Sequence, residues 1–333
     1  MMTVYNSAQF LGAAIDSILG QTYPHFEFLI VDDGSTDNSA SIVKSYQDSR
    51  IVFMENPGNR GIVYSRNRIL TAAKGKYIAV LDSDDIALPN RLEKQVEFLE
   101  NNTEYGMCGS YFRVINHRGQ RMYNVKFPVT DKELKTYLWF GNSFCHSTVL
   151  MNTEIARQSM YPESFPLGED YALWQYFAQV SRIYNLPVYT TLYRVHGHNV
   201  STRKYAEMFE KIKIINGNNL THFGFPYTEA DLDIYSHFIF YDYRYFKDKQ
   251  QFMQLKSLLQ RIIKHLKADS EFDIMIVLKL FLDRWFVICY KTRHFDFFFF
   301  NKLVIIDTKY LISYLYDLLV NTYRKRLVSV SKK

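Results

Sequence analysis

Apolar positions along the first hundred residues change period several times, and each change predicts an element. Leu11, Ala14, Ile15, Ile18 and Leu19 recur at helical spacing between Ser7 and Gln21, and Gly20 closes the run. Phe26 to Val31 is continuously apolar, the pattern of a strand covered on both faces, and it stops at Asp32 and Asp33. The polar stretch Gly34 to Asn38 turns the chain and caps a helix through Ser41 to Tyr46. Arg50 to Met54 reads as a strand, Ile62 to Ala73 as a helix, and Lys76 to Leu81 as a strand ending at Asp82. A helix over 88–101 carries Leu88, Leu92, Val96 and Leu99 on one face, and Met107 to Ile115 follows as a strand.

Strands alternating with helices in this order predict an α/β fold, a mostly parallel Rossmann-like sheet wrapped by helices through right-handed crossovers. Ligands of such sheets sit at the carboxyl ends of the strands. Both acidic clusters, Asp32/Asp33 and Asp82/Asp84/Asp85, fall at such ends, so a shared crevice is expected to unite them. Between 116 and 200 the pattern is mixed and sets no firm boundaries. Beyond 205 it turns helical, as in Phe252 to Leu266 with Leu255, Leu258, Leu259, Ile262, Ile263 and Leu266. Two regions are therefore expected: a catalytic unit over 1–204 and a helical, aromatic-rich region over 205–333.

The length of 333 residues, with 47% hydrophobic and 22% charged, supports a sizeable core and excludes a disordered tail or a fibre. The net charge of +6 is a weak field, and no nucleic-acid partner is expected. Cys108, Cys145 and Cys289 show neither a C-x-x-C pair nor metal-ligand spacing, so a reducing, cytoplasmic setting is the simplest reading. The first twenty residues lack the basic start and apolar run of a secretory signal. The sequons at Asn101, Asn199 and Asn219 are accordingly read as chance matches. Phe272 to Tyr290 comes nearest to a membrane span but is broken by Asp273, Lys279, Asp283 and Arg284.

Four clusters carry candidate chemistry. Asp32-Asp33-Gly34-Ser35-Thr36-Asp37 suits a nucleotide, with a carboxylate on base or ribose and a glycine for close approach; it is equally a polar turn capping a helix. Asp82-Ser83-Asp84-Asp85 crowds carboxylates that repel each other unless a cation sits among them, and Mg or Mn shares such ligands with substrate phosphates; the alternative is a solvated acidic turn. Gly168-Glu169-Asp170-Tyr171 places two acids at a helix start, as general base or as caps. Tyr193-Arg194-Val195-His196-Gly197-His198 gathers imidazoles and a guanidinium suited to a diphosphate or metal, or to a plain surface loop. No G-x-G-x-x-G, P-loop, G-x-S-x-G or H-E-x-x-H is present.

In order, Val4-Tyr5-Asn6, the Asp32 to Asp37 run, Asn59-x-Gly61 with Arg66-Asn67, Asp82-Ser83-Asp84-Asp85 with Pro89, and Glu169-Asp170 resemble a family 2 glycosyltransferase. The resemblance covers residues 1–200. It implies a GT-A fold and inverting transfer of a hexosyl or N-acetylhexosaminyl group from a nucleotide-sugar to a hydroxyl of a glycan or lipid-linked acceptor, in cell-surface polysaccharide assembly. Tyr5, Asn6, Asp32, Asp33, Gly61 and Ser83 would then belong to the donor site, with the two aspartates on the nucleoside, expected to be uridine. Asp82 and Asp84 would meet ribose and hold Mn or Mg on the diphosphate. Asp170 would be the catalytic base with Glu169 orienting it or the acceptor, and Arg66 and His196 would assist near the phosphates. A non-catalytic sugar-nucleotide-binding or glycan-binding relative and a sugar-phosphate nucleotidyltransferase are the rival readings.

Family members begin with a hydrophobic strand leading into the V-Y-N motif, whereas only Met1, Met2 and Thr3 precede Val4 here. A first strand lacking its true start is therefore expected, with impaired donor binding as its consequence. The tail offers Trp285, Phe295 to Phe300 and Arg324-Lys325-Arg326 as a surface for peripheral contact with an anionic membrane on its inner, cytoplasmic face, or as helix packing.

Overall fold

Three short strands, each followed by a helix, build the start of the chain: β1 (Met2–Val4), α1 (Ala8–Leu19), β2 (Phe28–Asp32), α2 (Ser39–Ser45), β3 (Ile51–Glu55) and α3 (Ile62–Ala72). They come from a computed structural model that describes residues 1–197, 204–267 and 272–292. β1, β2 and β3 pair in parallel in that order, with Val4 opposite Asp32 and Asp32 opposite Glu55. All five residues of β2 are buried, which is why its sequence shows no polar alternation before the first aspartate.

The chain continues through β4 (Tyr77–Ala79), β5 (Ile86–Ala87), α4 (Arg91–Asn101), β6 (Tyr105–Asn116), β7 (Arg121–Val125), α5 (Asp131–Leu138), β8 (Leu150–Asn152), α6 (Thr153–Ser159), α7 (Glu169–Val180) and β9 (Arg182–Val195). Their sheet runs β4-β8-β6-β9-β5, with β7 on the flank of β6. Met1 joins it to the first sheet, because its nitrogen donates to Ala79 O at 2.6 Å and its carbonyl accepts from Leu81 N at 3.1 Å, a parallel pattern.

The expectation of parallel pairing holds for β1 to β3 and for β6 with β9, while the other pairs of the second sheet are antiparallel. For β6 and β7 the reason is connection length. β6 and β7 are joined by a short turn in which Gly119 takes φ +77°, and a turn that short can only reverse the chain. From α4, the buried Arg91 donates to the carbonyls of Val80 and Val149, and Gln95 to that of Thr148. These bonds fix the acidic loop after β4 against the segment that carries His146.

The described remainder is helical, as expected: α8 (Tyr205–His222), α9 (Glu229–Ile239), α10 (Lys249–Leu266) and α11 (Ile274–Thr292). The stripe foreseen on α10 is buried throughout, from Phe252 to Leu266. Phe140, which follows α5, enters this core with its ring 5.6 Å from Phe281 and 5.8 Å from Phe223. Arg284 is buried and donates to the carbonyls of Phe140 and Ile239, so its charge ties α11 to both regions.

Trp285 is not a membrane contact: it is 2% exposed and packs edge-on against Phe252. The Phe295–Phe300 run and Arg324-Lys325-Arg326 lie outside the described residues. Among the described residues, no helix is long and apolar enough to cross a membrane.

Candidate active site

The carboxyl ends of β1, β2 and β4 lie side by side, and the loops leaving them are stitched together. Asn6 adopts φ +50°, a left-handed conformation that asparagine tolerates, and its Oδ1 accepts from Thr36 N at 2.8 Å. Asn6 N donates to Ser35 Oγ, and Ser7 N to Ser39 Oγ. Tyr5, in the same turn, is 48% exposed at the mouth of the crevice. Ser83 is buried, with its hydroxyl donating to Ser7 Oγ at 2.7 Å, so it links the β4 loop to the β1 loop.

Both carboxylates of the first cluster are buried and engaged by the chain itself. Asp32 accepts from the Ser35 backbone N–H and hydroxyl, closing the turn that follows β2. Asp33 Oδ1 accepts from Asn56 Nδ2, Arg60 N and Ser65 Oγ, and its Oδ2 accepts from Gly61 N at 2.9 Å. This carboxylate therefore shapes the Asn59–Gly61 loop, in which Gly61 takes φ +91°. Gly34 takes φ +72°, and a Cβ there would stand 2.4 Å from Gly58 C. Only glycine allows the two loops to approach this closely.

The second cluster divides its acids. Asp84 Oδ2 lies 2.8 Å from His196 Nε2, whose ring packs on Phe10 with centroids 4.8 Å apart. Burial, and then the neighbouring Asp82, push the Asp84 carboxyl up, with His196 opposing. Asp85 is buried, accepts from Arg194 N at 2.7 Å and is pushed well up by its burial. Asp82 turns the other way: its Oδ1 meets His146 Nδ1 at 3.0 Å and Arg66 Nη2 at 3.2 Å. Burial works to raise the Asp82 carboxyl, but His146, Arg66 and Ser147 together hold it below the usual carboxylate range.

Arg66 is 4% exposed, and its other terminal nitrogen pairs with Glu169 Oε1. The expected phosphate helper is thus enclosed between two acids, one from each side of the crevice. Glu169 Oε2 accepts from Gly168 N; burial raises this carboxyl and Arg66 counters it. Asp170, the next residue of α7, is half-buried and accepts from Asn142 Nδ2 at 3.1 Å.

An imidazole nitrogen facing a carboxylate oxygen is a donor set that Mn accepts, and two protein donors leave positions for phosphate oxygens and water. Asp84 and His196 fit that description, whereas Asp82 Oδ1 already faces two basic side chains. Among the described residues, no group of three or more His, Cys, Asp or Glu is assembled around one point.

His146, Tyr161 and Asn142 enter the site without having stood out as site residues in the sequence, whereas Arg194 belongs to the Tyr193–His198 cluster read there. His146 and Asn142 lie where the periodicity is mixed, and a lone histidine in N-S-F-C-H-S-T carries no motif by itself.

The model of the family described as Glycosyl transferase family 2 matches residues 1–158. Over 212 residues the chain is 32% identical to the UDP-Glc:alpha-D-GlcNAc-diphosphoundecaprenol beta-1,3-glucosyltransferase WfgD of Escherichia coli, covering 62% of this chain and 81% of that protein. The chain belongs to glycosyltransferase family 2. Its fold is that of the family 2 type, GT-A: the structure of S. aureus TarS 1-349 in complex with UDP-GlcNAc superposes with a TM-score of 0.56 at 19% identity, covering 89% of this chain and 91% of that one. The mannosyltransferase PcManGT from Pyrobaculum calidifontis, solved with GDP-Man and Mn2+, gives a TM-score of 0.51 at 14% identity, covering 88% of this chain and 86% of that one.

Proposed function

We propose that this family 2 chain transfers a sugar, with inversion, from a UDP-sugar to a hydroxyl of a glycan or lipid-linked acceptor in cell-surface polysaccharide assembly on the cytoplasmic side of the membrane. The observation that carries the reading is the convergence, at the ends of β1, β2 and β4, of Asn6, Asp33 and the Asp82–Asp85 acids with Glu169 and Asp170 across the crevice. UDP-sugar donors in the names of relatives support uridine, and a diphosphoundecaprenol-linked acceptor in one such name supports a lipid-linked hydroxyl. Residues 1–204 would form the catalytic unit, with the helices from 205 onward packed on it.

In this reading Tyr5, Asn6 and the loops organised by Asp32, Asp33 and Gly61 receive the nucleoside. Asp84 with His196 would hold Mn or Mg, which would supply positive charge against the diphosphate as the leaving group departs. Asp170 takes the proton from the acceptor hydroxyl while the acceptor oxygen bonds to the anomeric carbon and the anomeric carbon to phosphate-oxygen bond breaks, releasing UDP. Glu169, held by Arg66, keeps the start of α7 in place beside the base.

The reading is tested by thermal stabilisation with UDP, GDP and CDP, each with and without Mn, in the wild type and in Asp84→Asn. A shift given by UDP that requires both Mn and Asp84 is expected. Equal shifts with all three nucleotides, or a UDP shift that ignores Mn, would remove it.

A further inference from the structure

Arg66 and Asn67 both grip one residue from the poorly patterned stretch. Asn67 Oδ1 accepts from Tyr161 N at 2.8 Å and Asn67 Nδ2 donates to Tyr161 O at 2.9 Å, while the Arg66 guanidinium lies over the Tyr161 ring at 5.4 Å. The preceding residue, Met160, holds φ +57°, a left-handed conformation that is strained for a non-glycine side chain and persists only when its surroundings over-determine it. The turn thus delivers Tyr161 to one point. Its hydroxyl sits 3.1 Å from His146 Nε2.

We assign the hydrogens by the contact to the carboxylate, with His146 Nδ1 donating to Asp82. Arg66 can only donate, so the one acceptor within reach of a hydrogen on His146 Nδ1 is Asp82 Oδ1, at 3.0 Å. The Nε2 lone pair then accepts from Tyr161, whose hydroxyl is pushed up by burial and stays protonated. The contacts close a ring, Asp82–His146–Tyr161–Arg66–Asp82, and Arg66 carries it on to Glu169 at the start of α7.

We infer that Tyr161 and His146 are positioning residues for transfer, fixing Asp82 and Arg66 so that the Asp170 end of α7 keeps its place opposite the donor. This rests on the reading of Asp170 as base. Neither residue needs to touch the donor. Their loss should therefore act on the chemical step and spare nucleotide binding, because small misplacement of a base costs rate steeply while the donor loops are held by other bonds.

The test is steady-state UDP release by the full chain, with UDP-glucose and UDP-N-acetylglucosamine as donors and a GlcNAc-diphospholipid as acceptor. Tyr161→Phe keeps the ring under Arg66 and removes only the hydroxyl; His146→Asn keeps a donor toward Asp82 and removes the Tyr161 acceptor. Each is expected to lower kcat by about tenfold or more, with donor KM and the Mn-dependent UDP thermal shift within twofold of wild type. The double variant should be no slower than the slower single variant, since both break one chain of contacts. Unchanged kcat in Tyr161→Phe, or a loss confined to donor KM, would overturn the inference. Asp170→Asn in the same series separates the two claims: full turnover there sinks the base reading, whereas its inactivity beside an unaffected Tyr161→Phe sinks the positioning role alone.

Discussion

Asp84 Oδ2 and His196 Nε2 lie 2.8 Å apart although 112 positions separate them in the chain. The pairing ties the loop after β4 to the end of β9, and Phe10 supports it by packing on both His196 and Arg194. If the pair shares a divalent ion with the donor, removing either side should have the same consequence. His196→Ala is expected to abolish the Mn-dependent part of UDP stabilisation as Asp84→Asn does, and the double variant should lose nothing further. An Mn-dependent shift surviving in His196→Ala would place the ion elsewhere.

Asp33 receives four hydrogen bonds from Asn56, Arg60, Gly61 and Ser65. Asp33→Ala strands these donors in a buried setting, so a loss of about 3 kcal/mol is expected, read from the denaturant midpoint. UDP stabilisation should vanish with it, because the Asn59–Gly61 loop loses its anchor. A variant of wild-type stability would show that the loop holds its own shape.

Two neighbouring glycines should respond oppositely to the same change. Gly34→Ala would drive a methyl to 2.4 Å from the Gly58 backbone at φ +72°, whereas a Cβ on Gly58 meets nothing within 4 Å. Gly34→Ala is expected to destabilise by upwards of about 2 kcal/mol and to impair nucleotide binding. Gly58→Ala should leave both nearly unchanged. Equal effects in thermal melts would contradict this picture of the loops.

The acids at strand ends were legible because apolar runs stop where the sheet stops: β2 ends at Asp32, and the run before Asp82 ends at the crevice as expected. β4 is shorter than the run Lys76–Leu81: Val80 N bonds Val149 O one step beyond β8 in the same register, and Leu81 N then turns to Met1 O. The partner of each acid was not legible. Arg66 carries the same charge whether it meets a phosphate or bridges Asp82 and Glu169, and only the tertiary placement of those two acids around it decides between them. His146 and Tyr161 matter through contacts that span 64 and 15 positions, which no periodicity records. Trp285 fits a membrane surface or a core equally well by composition, and the helix–helix packing put it inside.

Asp283 on α11 gives the helical region a pH signature. Burial raises its carboxyl from 3.8 to about 6, with Lys279 and Arg284 opposing. A raised folded-state pKa means that the carboxyl supports the fold while protonated and that this support is lost as pH rises from 3.8 through 6. Asp283→Asn should therefore melt higher than wild type at pH 8, with the gain shrinking as pH falls toward 4. A gain that grows on acidification would reverse the assignment.

The most direct test of the account is Asp170→Asn, which keeps the shape of the side chain and its place beside Asn142 while removing the basic oxygen. The account predicts wild-type, Mn-dependent stabilisation by UDP together with a loss of transfer of about a hundredfold or more. Transfer at the wild-type rate in a variant that still binds UDP would show that another group takes the acceptor proton, and the assignment of the base would fall.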